Sequence, residues 1–563
     1  MAADSASSAG ARYAESRDSS EKKTADGTLD AKHVAAAKAA DGDDEAAVYY
    51  TGWRLAAIMG TINLSTLIAS LDLGIVATAI PAITRDFNGL DYIGWYSGAC
   101  FLLVGSSSAL WGKLYKYLSA RYVFMAALGI YLVGSIVAAA APNGIALIVG
   151  RALQGLGCSG CLSGSVLIIN FTAAPSSRPG LIGIWIGVFM SATILGPVLG
   201  GVFTSEVSWR WCFWINLPVG GLAIFLQILF LHIPKHVKLA PATWKEIILH
   251  IDIPGFSFLL TSLICFTLAL QWGGLTKPWS DGSVIATLVL FPVLTIGFVV
   301  VEWLQGEYAG VPLRLLKPRM TWANCIYGWL NPGANFLVLF YLPIYFQAVK
   351  GTSAITSGAY TLPFMAFYAL GAMMSGGMMG KTRMIHPFTI TSGLLTTLGA
   401  ALLWAMDVNT SKAWYIGAQV PFGLGIGLGN QVPVTVLQAF ASAEDVAATT
   451  GIIFTFQTAT GAYFVVAAQS IFANLMLKTL IKNAKDIDIG RVLSAGAGEL
   501  QTLYIGSQLD EVRNAYMVGI KDVFAFCIVV SAATVFSALL VPFVKLPETE
   551  TPKLEVEEKS AEA

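Results

Sequence analysis

The sequence predicts an all-α, polytopic membrane protein with fourteen transmembrane helices, and three observations predict it. Of 563 residues, 55% are hydrophobic and only 12% charged, where ordinary globular chains carry about 25% charge. A mean hydropathy of +0.67 describes more apolar surface than a water-facing fold can hide, which excludes an ordinary soluble enzyme. Apolar runs of about 20 residues, the length that crosses ~30 Å of hydrocarbon, recur about fourteen times. Each must be a helix, because nothing in lipid satisfies an open backbone.

The elements follow in order. Residues 1–50 are Ala, Ser, Asp, Glu and Lys with almost no large apolar side chain, which predicts a disordered tail. It lacks the basic start and apolar run of a cleavable signal, so the first span serves as an uncleaved anchor. Spans near 55–83, 92–111, 122–141, 145–171, 181–203 and 212–233 form a first group of six over 51–233. Two more, near 253–272 and 284–303, lie in a linker region, 234–319. The last six, near 322–348, 357–380, 386–406, 414–440, 446–477 and 523–544, fill 320–546. A long outer segment, 479–521, fits short surface helices or a plain tether, and 547–563 reads as a second solvated tail.

An even number of spans puts both tails on one side. Loops on that side carry Lys113, Lys116, Arg121, Arg178, Lys235, Arg314, Arg319 and Lys381 among others, whereas the opposite short loops carry only Arg85, Arg210, Lys277, Lys350 and Lys412. Both termini are therefore expected in the cytoplasm. The 34 basic and 34 acidic residues cancel, so no global field invites nucleic acid. Seven Cys inside apolar stretches argue against a disulfide framework, and five His without metal-ligand spacing argue against a metal site.

Charge inside a span costs about 2.5–3.5 kcal/mol at a helix centre on insertion scales, so Asp72 and Arg151 are the first candidates for chemistry. At 1.5 Å per residue both lie roughly 10–15 Å from the outer face, on the first and fourth spans, where they could pair. Such a pair can be structural. Alternatively Asp72 binds a proton, its affinity switched by facing Arg151 or by dehydration. Glu302 and Asp522, at span ends, read as water-accessible. Gln154, Asn331, Asn335, Tyr341, Tyr345, Gln347, Asn430, Gln431 and Gln438 are candidate cavity lining for a largely uncharged organic ligand, or interhelical hydrogen-bonding groups. Asn331-Pro332-Gly333 and Asn430 to Pro433 are expected to break their helices near the midplane. Cys158 and Cys161, in a run of small residues, read as helix packing, and GLGIGLGNQVP near Gly423 lacks the βαβ setting of a nucleotide loop. Of three glycosylation sequons only Asn409 falls in an outer loop.

These motifs resemble the major facilitator superfamily, specifically its fourteen-span drug:proton antiporters and, within them, the fungal toxin and multidrug efflux pumps. The likeness covers about Thr51 to Leu546. LDLGIVATAIPAI is similar to the family's first-span motif and RALQGLG to its fourth-span motif. ILGPVLGG resembles the fifth-span antiporter motif, which makes Gly196, Pro197, Gly200 and Gly201 structural motif residues. WRWCFWINLPVG, LALQWGG and FYLPIYFQAVKG resemble the fungal branch. One loop departs: Lys116 stands where the superfamily usually has Asp, and Ala120 where it has a basic residue, which puts a conformation-holding charge relay in doubt. The resemblance implies two six-helix bundles with two additional helices, rocking around a central cavity, and Asp72 and Arg151 as proton-coupling residues.

The expectation is a monomeric proton-coupled efflux antiporter of a small hydrophobic molecule, a secondary metabolite, toxin or drug. It would work in the plasma membrane, or a vacuolar or vesicle membrane, with no cofactor beyond the proton gradient. A siderophore or basic amino acid carrier, a non-transporting sensor and a membrane-embedded enzyme are the alternatives; no His, Asp and Ser constellation supports the last.

Overall fold

The computed structural model describes residues 49–87, 93–175, 177–234, 237, 242–442, 444–483, 487, 492 and 500–547. The expected tails lie outside the described residues except for Tyr49, Tyr50 and Pro547, as does most of 484–499. The main helices are α1 (Gly52–Phe87), α2 (Ile93–Tyr117), α3 (Ala120–Ala139), α4 (Gly144–Thr172), α5 (Arg178–Glu206), α6 (Asn216–Phe230), α7 (Ile253–Trp272), α8 (Gly282–Gln305), α9 (Arg319–Ile344), α10 (Ala354–Thr382), α11 (His386–Trp404), α12 (Lys412–Phe440), α13 (Val446–Asn483) and α14 (Ser507–Leu540). Among the described residues there is no β-strand.

Thirteen helical spans are long and apolar enough to cross a membrane, and α2, with 25 residues, completes the fourteen. Its Ser106, Ser107 and Ser108 lower its hydropathy, but each returns its hydroxyl to the carbonyl one turn back, so the helix carries no unpaired hydroxyl there. Side-chain caps begin several spans. Asn143 accepts from Ala146 N at 2.9 Å before α4, and Asp252 accepts from Gly255 N at 2.8 Å before α7.

Helices α1–α6 form one bundle, through α1 on α5, α3 on α4 and α2 on α4; α9–α14 form the second, through α10 and α11 on α12 and α9 and α11 on α14. The bundles meet along two seams, α2 with α13 and α5 with α10. Helices α7 and α8 pack on each other, and α7 leans on α2. Along α8, Leu288, Val289, Val293, Ile296, Val299 and Leu304 are exposed, an apolar face suited to lipid. The two ends of the described chain lie on one face. There Tyr50 N donates to Thr172 O at the end of α4, and Leu546 N to Arg383 O after α10. We call this the terminal face and the opposite one the far face.

Two expectations need correction. The helix does not break at Asn331-Pro332-Gly333: α9 runs through Pro332, because neighbouring helices hold the backbone where the proline removes one bond. The irregularity comes later, as a π-turn over Tyr345–Val349 following Pro343. At Asn430–Pro433 a break does occur, with Lys412–Asn430 and Val432–Phe440 separated at Gln431. The outer segment is also shorter than 479–521, since α13 continues to Asn483 and α14 begins at Ser507. Leu500 and Tyr504 between them are buried, and Gln501 Nε2 donates to Ala348 O at 3.4 Å, so this part packs on the π-turn rather than hanging as a tether.

Candidate functional site

Asp72 on α1 and Arg151 on α4 face each other inside the first bundle, with Arg151 Nη1 donating to Asp72 Oδ2 and both side chains 1% exposed. Arg151 Nε donates to Tyr96 O at 2.8 Å, and its guanidinium lies 5.8 Å from the Phe213 ring centroid. Gln154 Nε2 donates to Asp72 Oδ1 at 3.1 Å and to Ser135 Oγ at 2.8 Å; Asn216 Nδ2 reaches the same two acceptors at 3.4 and 3.2 Å. Two helices, α4 and α6, thus supply three donors to one carboxylate, with Ser135 of α3 accepting from two of them, which is what a buried charge requires. Sequence reasoning missed Ser135, Asn216 and Phe213. Asn216 sits inside the WRWCFWINLPVG motif, where a polar residue among aromatics was the available signal.

The turn that carries Asp72 is the one on which α5 rests. A Cβ on Gly196 would stand 2.8 Å from both Ile75 N and Leu71 O, and Gly74 is equally close to α5, 2.5 Å from Thr193 O. Gly200 meets Thr78 and Ile75 O on the next turn. Backbone approach of this kind needs residues without side chains. Pro197 lies inside the continuous helix. Gly201 faces open space, so it takes no part in this contact.

Between the bundles lies a cavity of about 770 Å³, open mouth included. The first bundle lines it with Leu73, Phe101, Val104, Leu162, Trp185, Ile186, Phe189 and Met190; the second contributes Asn335, Phe336, Tyr368, Asn430, Gln431 and Gln457 among others. No charged side chain occurs among the described residues lining it. Asp72 is the immediate neighbour of Leu73 but is not itself on the wall.

Of the candidate lining residues, Asn335, Asn430 and Gln431 meet at this cavity. The others stand elsewhere, for stated reasons. Gln154 is committed to the Asp72 network. Asn331 is buried behind the wall, donating to Ser392 Oγ at 3.1 Å. Tyr341 packs on Phe472 with centroids 5.5 Å apart, and Tyr345 donates to Asp407 O at 3.0 Å near the far face, with Gln347 in the π-turn beside it. Gln438 bridges the bundles, accepting from Asn170 Nδ2 and donating to Thr450 Oγ1, each at 3.0 Å. Asn409 is exposed in the turn between α11 and α12.

At the terminal face the α2–α13 seam is closed. A Cβ on Gly112 would lie 2.7 Å from Gly451 Cα. Below it Lys116 Nζ pairs with Asp445 Oδ1 at 2.9 Å, and Arg314 Nη2 with Asp445 Oδ2 at 3.0 Å. Burial alone would raise the Asp445 carboxyl, but the two cations outweigh it and hold it below the usual carboxylate range. Lys116, the departure, thus makes a charge contact of its own across the seam. Glu302, read as water-accessible, is 3% exposed. It accepts from Val311 N at 2.8 Å, while Asp252 accepts from Gly310 N at 2.7 Å, so the two carboxyls hold one loop.

Comparison with known proteins defines the class, a membrane transporter rather than an enzyme. A profile described as Major Facilitator Superfamily matches residues 62–465, and the chain belongs to that superfamily. It is 62% identical over 499 residues to the efflux pump notK of Aspergillus sp., covering 89% of each chain. It is 59% identical over 502 residues to a dehydrocurvularin exporter of Alternaria cinerariae, covering 89% of this chain and 86% of that one. The proton:xylose symporter XylE shares the fold at a TM-score of 0.55 and 11% identity, over 88% of this chain and 98% of that one.

Proposed function

We propose that this protein exports an uncharged, hydrophobic secondary metabolite in exchange for protons, working as a monomer in the plasma membrane with both termini cytoplasmic. The observation that carries the reading is a buried, ion-paired carboxylate, Asp72, next in sequence to Leu73 on the wall of a cavity whose described lining carries no charge. The efflux and exporter names of the fungal relatives support the direction. An importer of cationic substrates would want acidic groups on the wall, and the described wall has none.

In the proposed cycle a proton from the outside neutralises Asp72 and loosens its hold on Arg151. The α1 turn then shifts against Gly196 and Gly200 of α5. The same α5 carries Trp185, Ile186, Phe189 and Met190, so the shift reaches the cavity wall. Release of the proton to the cytoplasm restores the pair. A membrane potential of ~100 mV supplies about 2.3 kcal/mol per charge, enough for a roughly fortyfold gradient at 1.4 kcal/mol per decade.

The test is accumulation of dehydrocurvularin and fluorescent drugs in cells expressing wild type or Asp72→Asn, with and without a protonophore. The proposal expects low accumulation in wild type alone, lost with the protonophore. Protonophore-sensitive export by Asp72→Asn would overturn the role of Asp72. Glycosylation at Asn409, read as a mass shift removed by Asn409→Gln, would place that turn outside.

A further inference from the structure

The hydroxyls along α1 are used in two ways. Thr61, Ser65 and Ser70 return theirs to carbonyls of their own helix, at 2.8, 3.0 and 2.7 Å. Thr66 reaches outward instead. Its Oγ1 accepts from Trp185 Nε1 of α5 at 2.7 Å and lies 3.4 Å from Ser165 Oγ of α4. The Ser165 proton goes to Cys161 O at 2.6 Å, so the Thr66 hydroxyl donates to Ser165 and keeps a lone pair for the indole. Thr66 and Ser165 are both fully buried, and neither is among the residues lining the cavity.

Trp185, by contrast, is on the wall. A buried indole N–H needs an acceptor, and Thr66 supplies it from behind that wall, which fixes the plane of the ring. Phe189, one turn further along α5 and also on the wall, has its ring centroid 6.2 Å from that of Trp185, with 36° between the planes. With its N–H taken, the indole offers the cavity carbon surface and no donor. What such a surface recognises is an apolar ring laid against it. A ring already held in one orientation loses less freedom when the ligand arrives than one that must first be ordered.

We propose that Thr66 is a positioning residue that holds Trp185 as a stacking platform, so that the cavity prefers substrates with a flat, conjugated ring system over puckered ones of the same skeleton. This rests on the reading of the cavity as the export site. Thr66 itself touches no substrate. Without its oxygen the indole N–H is stranded in an apolar wall, and the ring turns toward another acceptor at the expense of stacking.

The test uses full-length purified protein in detergent with the uncharged dye Nile red bound. The dye is displaced by anthracene or by perhydroanthracene, its saturated, puckered counterpart, each corrected for partition into protein-free micelles. Wild type is expected to bind anthracene about fivefold tighter, the size of one aromatic pair interaction. Trp185→Leu should bring the ratio to about one. Thr66→Val, which keeps the shape and removes the oxygen, should bring it to about two or below, and Thr66→Ala takes its place if that variant does not fold. Thr66→Ser, which keeps the oxygen, should hold the wild-type value. In a Trp185→Phe background, which has a ring but no N–H to strand, Thr66→Val should leave the ratio where Trp185→Phe alone puts it. A merely structural role for Thr66 would weaken both hydrocarbons alike and leave their ratio unchanged. A wild-type ratio near one, an unchanged ratio in Thr66→Val, equal losses in the Val and Ser variants, or no saturable displacement of Nile red would overturn the proposal. The ratio is measured without a proton gradient. An intact ratio without proton-coupled export counts against the export reading alone, and a lost preference with export intact counts against this proposal alone.

Discussion

Two charge clusters hold this molecule, and they are built differently. The Asp72–Arg151 pair lies wholly within the first bundle, 1% exposed on both sides and ringed by Gln154, Asn216 and Ser135. The Asp445 cluster lies at the terminal face between the bundles, with Lys116 16% and Arg314 55% exposed. Water screens the second and not the first. A buried pair cannot lose one partner without stranding the other, whereas a half-wet pair can open and close at small cost. In the proposed export cycle, the first would serve as the proton switch and the second as a latch between bundles that separate.

The largest expected effect comes from stranding a charge. Arg151→Met should destabilise the protein by about 3–5 kcal/mol by leaving Asp72 buried and unpaired, read as a lowered thermal unfolding temperature in detergent. Adding Asp72→Asn should recover much of that loss; if the double variant is as unstable as the single, the cluster is not a pair in the energetic sense. Next comes the α1–α5 contact. Gly196→Val would push a side chain into Leu71 O and Ile75 N, at a cost of about 1–3 kcal/mol, and should cut export at equal surface abundance, while Gly201→Ala, facing open space, should change neither.

The latch should respond more gently. Asp445→Asn should cost about 1 kcal/mol or less yet raise labelling of Ala447→Cys by an impermeant maleimide from the terminal face, against a background of seven native cysteines that are all buried. The charge swap Lys116→Asp with Asp445→Lys should restore protection. The smallest effect is with pH. Because the Asp445 carboxyl is held below its ordinary range, the latch is fully present above the free carboxylate value of about 4 and is lost only as pH falls through the lower, bound one. Labelling of Ala447→Cys, divided at each pH by that of the unfolded protein to remove the thiol's own ionisation, should therefore be flat between pH 5 and 8; a rise of that ratio within the window would mean that another group controls the seam.

Much of this was legible in the sequence. Asp72 and Arg151 stood out because charge in an apolar run has few tolerable explanations, and their depths, counted at 1.5 Å per residue, placed them together. The fourteen helices followed from length and hydropathy. What the sequence left open was which single polar residues reach the cavity and which bond between helices. Tyr341 and Tyr345 are turned elsewhere, toward Phe472 and Asp407, whereas Asn331, one turn before Asn335 on the same face, differs from it in depth and in its bond to Ser392. Glu302 was misread because exposure at a span end depends on the loop that folds over it, here Gly310 and Val311. Lys116 was legible as a departure but not as a contact, since its partner Asp445 lies hundreds of residues away in the other bundle.

The most direct test of the central claim is proton movement itself. Sealed vesicles bearing purified protein and a trapped pH dye are loaded with a compound that the accumulation assay identifies as exported, and lumenal pH is followed as the compound moves down its gradient, for wild type and Asp72→Asn. The account predicts proton counterflow with wild type that saturates with the compound, and none with Asp72→Asn even if the compound still crosses. Equal counterflow in both proteins would contradict it, and would move the coupling site away from Asp72.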